Sequence, residues 1–213
     1  MYRRFFKRTI DIALSFIGLV VLIPVFMLTA LAIKIFDPGP VIFKQPRLGK
    51  NKESFVLYKF RSMRVDTPQI ATPDFENPEQ YISKLGNFLR KTSIDELPQL
   101  WNILKGDMSI VGYRPLILEE AELNGERESL GVFDARPGLT GLAQISGRDV
   151  VDAHQKALLD KEYIENCGFV YDAKIFLKTI VVVLTHDGVV EGKQEYNKPE
   201  IEVVEKEKEE ATV

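Results

Sequence analysis

The chain has 213 residues and a formal net charge of −3 at pH 7. That length suits one domain with an appendage, and a hydrophobic content of 45% supports an ordinary core and excludes wholesale disorder. The near-neutral balance argues against a nucleic-acid partner, which usually selects a strongly basic domain, and a single cysteine, Cys167, excludes an intrachain disulfide and a cysteine zinc site.

Residues 12–33 carry no charge. About 22 residues make a straight helix of roughly 33 Å, long enough to cross a bilayer. The run is too long for a cleaved signal peptide, and no small-x-small cleavage site comes after it. Pro24 sits near its centre, lacks an N–H and clashes with the preceding turn, so it kinks or breaks a helix. Both flanks are basic, with Arg3, Arg4, Lys7 and Arg8 before the run and Lys34, Lys44, Arg47, Lys50 and Lys52 after it. The positive-inside rule holds both flanks in the cytoplasm. A spanning helix cannot satisfy both, whereas a helix that enters, breaks at Pro24 and returns can. The expectation is a re-entrant anchor over residues 1–36, with a spanning helix as the alternative.

Asp37-Pro38-Gly39-Pro40 separates the anchor from the rest of the chain. Residues 41–44 and 54–60 read as two short strands of a hairpin. Residues 66–79, with Pro68, Pro73 and Pro78, read as a long loop, and residues 81–91 as a helix. Pro98 fits the first turn of a helix but not its interior. Asp95 and Glu96 therefore lie at, or just before, the start of a helix that runs to about Leu104 and stops at Gly106. Residues 134–148, with Gly138, Gly141 and Gly147, read as a loop. Residues 153–166 and 172–185 read as amphipathic helices, the second with Ile175, Phe176, Ile180 and Leu184 on one face. After Gly192 the chain is polar and acidic, so residues 188–213 read as a disordered tail. The fold class expected is α+β, mostly helical: a helix-break-helix anchor, a short β-hairpin and amphipathic helices that lie on a membrane surface.

The carboxylate pair admits two readings. Ser93-x-x-Glu96 matches a capping box, in which acidic residues stabilise a helix start. Alternatively, one carboxylate attacks a phosphorus while the other binds a cation or moves a proton, and such chemistry needs cationic help nearby. Lys59, Arg61, Arg90, Arg114, Arg136 and Arg148 are candidates for that help, arginine's planar fork being suited to phosphate. Each of them also has a structural reading as an ion pair or a solvated charge. The backbone at Gly138, Gly141 and Gly147 could approach a phosphate. Asp107 reads as a turn-former after Gly106 or as a metal ligand, Trp101 as core or interface packing, and His154 and His186 as structural.

The run Ser93-Ile-Asp-Glu-Leu-Pro-Gln-Leu-Trp-Asn102, then Lys105-Gly-Asp-Met-Ser109, resembles bacterial sugar transferases of the small, monotopic polyprenyl-phosphate phosphoglycosyl transferase family. Lys7-Arg8 with the Pro24-centred anchor, residues 37–40, Tyr58-Lys-Phe-Arg-Ser-Met63, Arg136–Arg148 and residues 172–179 extend the likeness to about residue 187. The resemblance implies a cytoplasm-facing catalytic domain over residues 37–187 at the inner leaflet of the bacterial cytoplasmic membrane. It implies transfer of a sugar 1-phosphate from a UDP-sugar to polyprenyl (undecaprenyl) phosphate, with release of UMP and a covalent phosphosugar–aspartate intermediate. Asp95 matches the nucleophile and Glu96 its partner, the pair serving Mg²⁺; Lys59, Arg90 and Arg114 are assigned to lipid or intermediate phosphate, and Gln144 and Arg148 to the nucleotide sugar. Association into a homo-oligomer is left open. Two departures stand out: Tyr113-Arg114-Pro115 replaces the common Pro-Arg-Pro, and Ile23 precedes Pro24 where related chains often carry serine.

Overall fold

The computed structural model describes residues 2–67, 78–147 and 152–185. Arg148, His186, the expected tail 188–213 and most of the expected loop 66–79 lie outside the described residues.

The uncharged run forms two helices, α1 (Lys7–Val21) and α2 (Ile23–Phe36), bent by 59°. The break falls at Leu22, which is not helical, and Pro24 sits in the first turn of α2, where its missing N–H would have no helical partner anyway. No single described helix is long and apolar enough to cross a membrane, but the bent pair together is. Both helices leave large apolar side chains exposed, among them Phe16, Val20, Met27, Leu31 and Phe36.

Polar contacts fix α1 to the rest of the chain. Asp11 is buried and accepts from Ser109 Oγ at 2.8 Å and the Ile110 N–H at 3.0 Å. Arg8 donates to the carbonyls of Ile103 and Leu104 at 2.6 and 2.9 Å. Asp172 gathers Tyr2, Lys7 and Tyr163 at 2.7, 2.6 and 2.8 Å.

Strands β1 (Ile42–Leu48) and β2 (Ser54–Phe60) pair antiparallel, with Lys44 opposite Tyr58. The hairpin is as expected, with β1 longer and Pro46 within it, as an edge strand tolerates. Helix α3 (Lys84–Lys91) begins at Ser83, whose hydroxyl caps the Gly86 N–H at 3.0 Å. Helix α4 (Gln99–Lys105) starts after Pro98 and ends at Gly106, which is left-handed at φ 106°. Strand β3 (Ser109–Val111), helix α5 (Ala121–Ser129) and strand β4 (Gly138–Thr140) come next, with β3 and β4 pairing parallel. Helices α6 (Leu142–Ile145), α7 (Ala153–Asn166) and α8 (Phe169–Thr185) complete the described fold. It is mostly helical with a short antiparallel strand pair.

Residues 134–148, a loop by sequence, include β4 and α6. Gly138 and Gly141 explain why: a Cβ on either would collide with Gly112 backbone atoms. They allow β4 to cross tightly beside β3 rather than offering free N–H groups, and the Gly138 N–H already donates to the Tyr113 carbonyl at 2.7 Å. The main core joins Leu57, Leu100, Ile103, Met108, Ile110, Val111, Tyr163 and Ile175 across β2, α4, β3, α7 and α8. Burying each such side chain contributes about 1.5–3 kcal/mol.

Helix α3 packs so closely on the segment after β2 that a Cβ on Gly86 would collide with the Ser62 carbonyl oxygen. Replacing an interior helical glycine by alanine ordinarily stabilises by about 1 kcal/mol. Gly86→Ala should do the reverse and lower the midpoint of chemical or thermal unfolding of the detergent-purified protein. A rise in that midpoint would show that the α3 contact is looser than described.

Candidate active site

The carboxylate pair sits in a tight link between α3 and α4. The Thr92 hydroxyl bonds back to the Phe88 carbonyl at 2.8 Å, and Ser93 turns left-handed at φ 54°. Residues Ile94–Glu96 then form one short 3-10 turn. Ile94 packs on the cluster of Ile33, Phe60 and Leu89, while Leu100 enters the main core, so the link is pinned at both ends.

The capping-box reading fails on this geometry. Ser93 makes no side-chain cap bond, because its left-handed backbone turns it away from that role. Glu96 instead faces cations: its Oε1 accepts from Lys59 Nζ at 2.9 Å and Arg114 Nη2 at 3.2 Å. Asn102 sets this register. Its amide is fully buried, accepts from the Tyr58 N–H at 3.1 Å, and donates to the Val56 carbonyl at 2.7 Å and Asp107 at 3.1 Å. These bonds hold α4 against β2 and bring Lys59 opposite Glu96. Asp107 is thereby the turn residue that the sequence suggested, bonded to Asn102 and Lys105.

Asp95 is 7% exposed. Burial pushes its carboxyl up to about 6; Lys59, Arg90 and Arg114 pull it down, while the like charge of Glu96 adds to the rise. Lys59, Arg90, Glu96 and Arg114, all expected site residues, thus act on Asp95 through their charges. Burial, the largest effect, and the nearby Arg114 lower the Lys59 ammonium, with Glu96 opposing them.

Two further groups join the site that sequence reasoning does not assign to it. Arg47 and Gln99 line a cleft with Leu57, Lys59, Arg114, Pro115 and Gly138. Burial and the neighbouring Arg114 bring the Arg47 guanidinium down to about 10, against the pull of Glu120 and Glu96. In the sequence Arg47 stands out only as a flanking charge, because the strand that carries it extends beyond the expected residues 41–44.

Other candidates fall elsewhere. Arg61 is buried and holds Asp37, closing the end of the anchor onto β2. Arg136 donates to the Gly106 carbonyl at 2.9 Å. Gln144, on α6, lies over Gly141, with both amide atoms buried and unbonded among the described residues. Trp101 is exposed rather than core. The expected Arg148 lies outside the described residues.

The paired carboxylates suit a hard divalent cation of the magnesium kind, which takes one or two carboxylates and fills its sphere with substrate phosphates and water. Among the described residues no group of three or more His, Cys, Asp and Glu side chains is gathered as a metal cage.

Comparison with known proteins agrees with the motifs. The profile of a family described as "Bacterial sugar transferase" matches residues 2–186. The chain is 39% identical over 201 residues to the undecaprenyl-phosphate galactose phosphotransferase of Salmonella typhimurium, covering 87% of this chain and 42% of that protein. It is 38% identical over 190 residues to the UDP-glucose:undecaprenyl-phosphate glucose-1-phosphate transferase of Caulobacter vibrioides, covering 85% and 70%. It is 38% identical over 185 residues to the uncharacterized sugar transferase EpsL of Bacillus subtilis, covering 86% and 89%. The chain spans less than half the length of several curated relatives that it matches.

The raised Asp95 carboxyl has a consequence for stability. A carboxyl with an unfolded pKa of about 3.9 and a folded value of about 6 favours folding fully below the lower value. That contribution is lost as pH rises through about 6. Asp95→Asn removes a charge that is unfavourable at pH 7–8, so its melting temperature there should equal or exceed the wild-type value. Its advantage should vanish toward pH 4. Thermal melts at pH 4.5, 6 and 8 check this, and a variant clearly less stable at pH 8 would contradict the burial argument.

Proposed function

Because the chain belongs to the bacterial sugar transferase family, we propose that it transfers a sugar 1-phosphate from a UDP-sugar to a polyprenyl phosphate such as undecaprenyl phosphate, releasing UMP. The observation that carries the reading is the buried Asp95 carboxyl beside Glu96, with Lys59 and Arg114 bonded to Glu96 and the charges of Lys59, Arg90 and Arg114 acting on Asp95. The names of the Salmonella and Caulobacter relatives describe sugar-phosphate transfer of this kind.

The chemistry runs in two displacements. A carboxylate oxygen of Asp95 attacks the phosphorus that bears the sugar. The bond from that phosphorus to the bridging oxygen of the diphosphate breaks, and UMP leaves with the electron pair. An oxygen of the polyprenyl phosphate then attacks the same phosphorus, the aspartyl bond breaks, and the Asp95 carboxylate is restored. A covalent intermediate splits one difficult step into two easier ones. Lys59, Arg90 and Arg114 offset the charge that gathers on the phosphoryl oxygens, and Glu96 holds Lys59 and Arg114 in place for it. Mg²⁺ held by Asp95 and Glu96 would supply further neutralisation of the diphosphate. Gln144 and Arg148 are assigned to the nucleotide sugar.

The same reading places α1 and α2 in the inner leaflet of the bacterial cytoplasmic membrane as a re-entrant hairpin. Their 59° bend and exposed apolar surface support it. So does the exposed apolar side of α8, with Leu177, Ile180, Val181 and Leu184, which suits the interface plane. The phosphate of a lipid acceptor lies at that plane, within reach of a cleft held there.

Four outcomes are expected. Detergent-purified protein with undecaprenyl phosphate, Mg²⁺ and a panel of UDP-sugars should release UMP with one or a few donors. Asp95→Asn should lower that rate by about a thousandfold or more while remaining folded; a folded variant that keeps wild-type turnover would exclude the covalent route. UMP release should rise with pH through about 6 and then level, since only ionised Asp95 attacks. Single cysteines at Arg3 and Pro38, in a Cys167→Ala background, should label from the same, cytoplasmic side of intact cells. Labelling from opposite sides would replace the hairpin with a span.

A further inference from the structure

Arg127, on α5, is 1% exposed, and so is Asp160, on α7. Arg127 Nε and Nη2 donate to Asp160 Oδ2 at 2.8 and 2.5 Å. A buried ion pair contributes little net stability, since apolar residues of similar volume often replace one without loss. Its placement here is more informative than its strength. The remaining nitrogen, Nη1, donates to the main-chain carbonyl of Arg114 at 2.8 Å. The guanidinium carbon lies 5.0 Å from the ring centre of Tyr113, which is fully buried and packs edge-on against Phe133 at 5.7 Å. At the next carbonyl, Pro115, Arg47 Nη1 approaches to 3.4 Å.

The main chain of residues 113–115 is thus gripped from below, while the Arg114 side chain reaches out to Glu96 at 3.2 Å. Tyr113 opens the gripped segment, and its ring lies against Arg127 and Phe133.

We infer that Arg127 is a positioning residue: locked by Asp160 and covered by Tyr113, it fixes the Arg114 main chain so that the Arg114 guanidinium meets the transferred phosphate beside Glu96. This rests on the reading of Arg114 as a phosphate ligand. The clamp places the restraint on this segment in two helices, α5 and α7.

The test replaces the pair by apolar residues, Arg127→Met with Asp160→Leu, in the full-length detergent-purified protein. Thermal unfolding should be unchanged or raised, while kcat/KM for UMP release falls at least tenfold. The same change in an Arg114→Ala background should cause no further loss, because Arg127 acts through Arg114. Full activity in the folded double variant, or a loss that adds in full to that of Arg114→Ala, would overturn the inference. Should the apolar pair fail to fold, Arg127→Lys keeps the charge but not the fork, and the same cycle is read on it. Hydrogen exchange of the peptide spanning residues 109–118 supplies an arm independent of turnover. Faster exchange there in the variants supports the clamp, and unchanged exchange refutes it. If the wild-type protein turned over no donor, the proposed reaction would fall while the exchange comparison still decided whether Arg127 holds the loop.

Discussion

One buried amide organises the candidate site. Asn102 has no exposure and satisfies both backbone partners that an edge strand offers it, the Tyr58 N–H and the Val56 carbonyl. Buried polar groups that lose a partner cost about 1–3 kcal/mol, so α4 cannot slide along β2 without breaking several bonds at once. That restriction carries Glu96, one turn before α4, to Lys59, on β2. The reactive link is thus placed by an interaction remote from it and without chemistry of its own.

The site that results concentrates charge where burial opposes it. Lys59, Arg47 and Arg114 face one another across a cleft, and burial works against the charge on Lys59 and Arg47 and on Asp95. Lys59, Arg47 and Arg114 would each gain from an anion with several oxygens. A diphosphate supplies such an anion, and it would be least costly to bind where the cations are already desolvated and fixed. The cost is borne by the fold, whose core of Leu57, Leu100, Ile103 and their neighbours is laid directly beneath α4.

Much of the architecture is legible in the sequence because local rules dominate it. Pro98 and Gly106 mark the ends of α4, and the polar interruption at residues 50–53 marks the hairpin. The charge-free run with Pro24 gives the bent pair, although the break itself lies at Leu22. What escapes is non-local. Strands β3 and β4 are three residues each and pair across a helix, so no alternation betrays them. Gly138 and Gly141 look like a phosphate loop because a glycine required by a close backbone crossing is indistinguishable, in sequence, from one required by a ligand. The Ser93-x-x-Glu96 spacing matches a cap, but the left-handed turn at Ser93 and the pull of Lys59 and Arg114 override it. Arg47, Arg127 and Asp160 need the fold before their partners can be seen.

The anchor shows the same limit from another side. Lys7 and Arg8 count as free charges under the positive-inside rule, yet Lys7 is paired with Asp172 and Arg8 bonds the end of α4. Their position reports packing as much as topology, and the same holds for Arg47 and Lys52 after α2, which pair with Glu120 and Glu128. The bonding has a further meaning. Arg8 grips the carbonyl end of the helix that comes after Asp95 and Glu96, and Asp11 grips β3, which leads to Arg114. A flexible tether would let the cleft wander relative to the bilayer. With α1 bonded to the helix after the carboxylates and to the strand before Arg114, the site and the proposed anchor form one unit, and on that proposal the depth of α1 would set the height of the carboxylates.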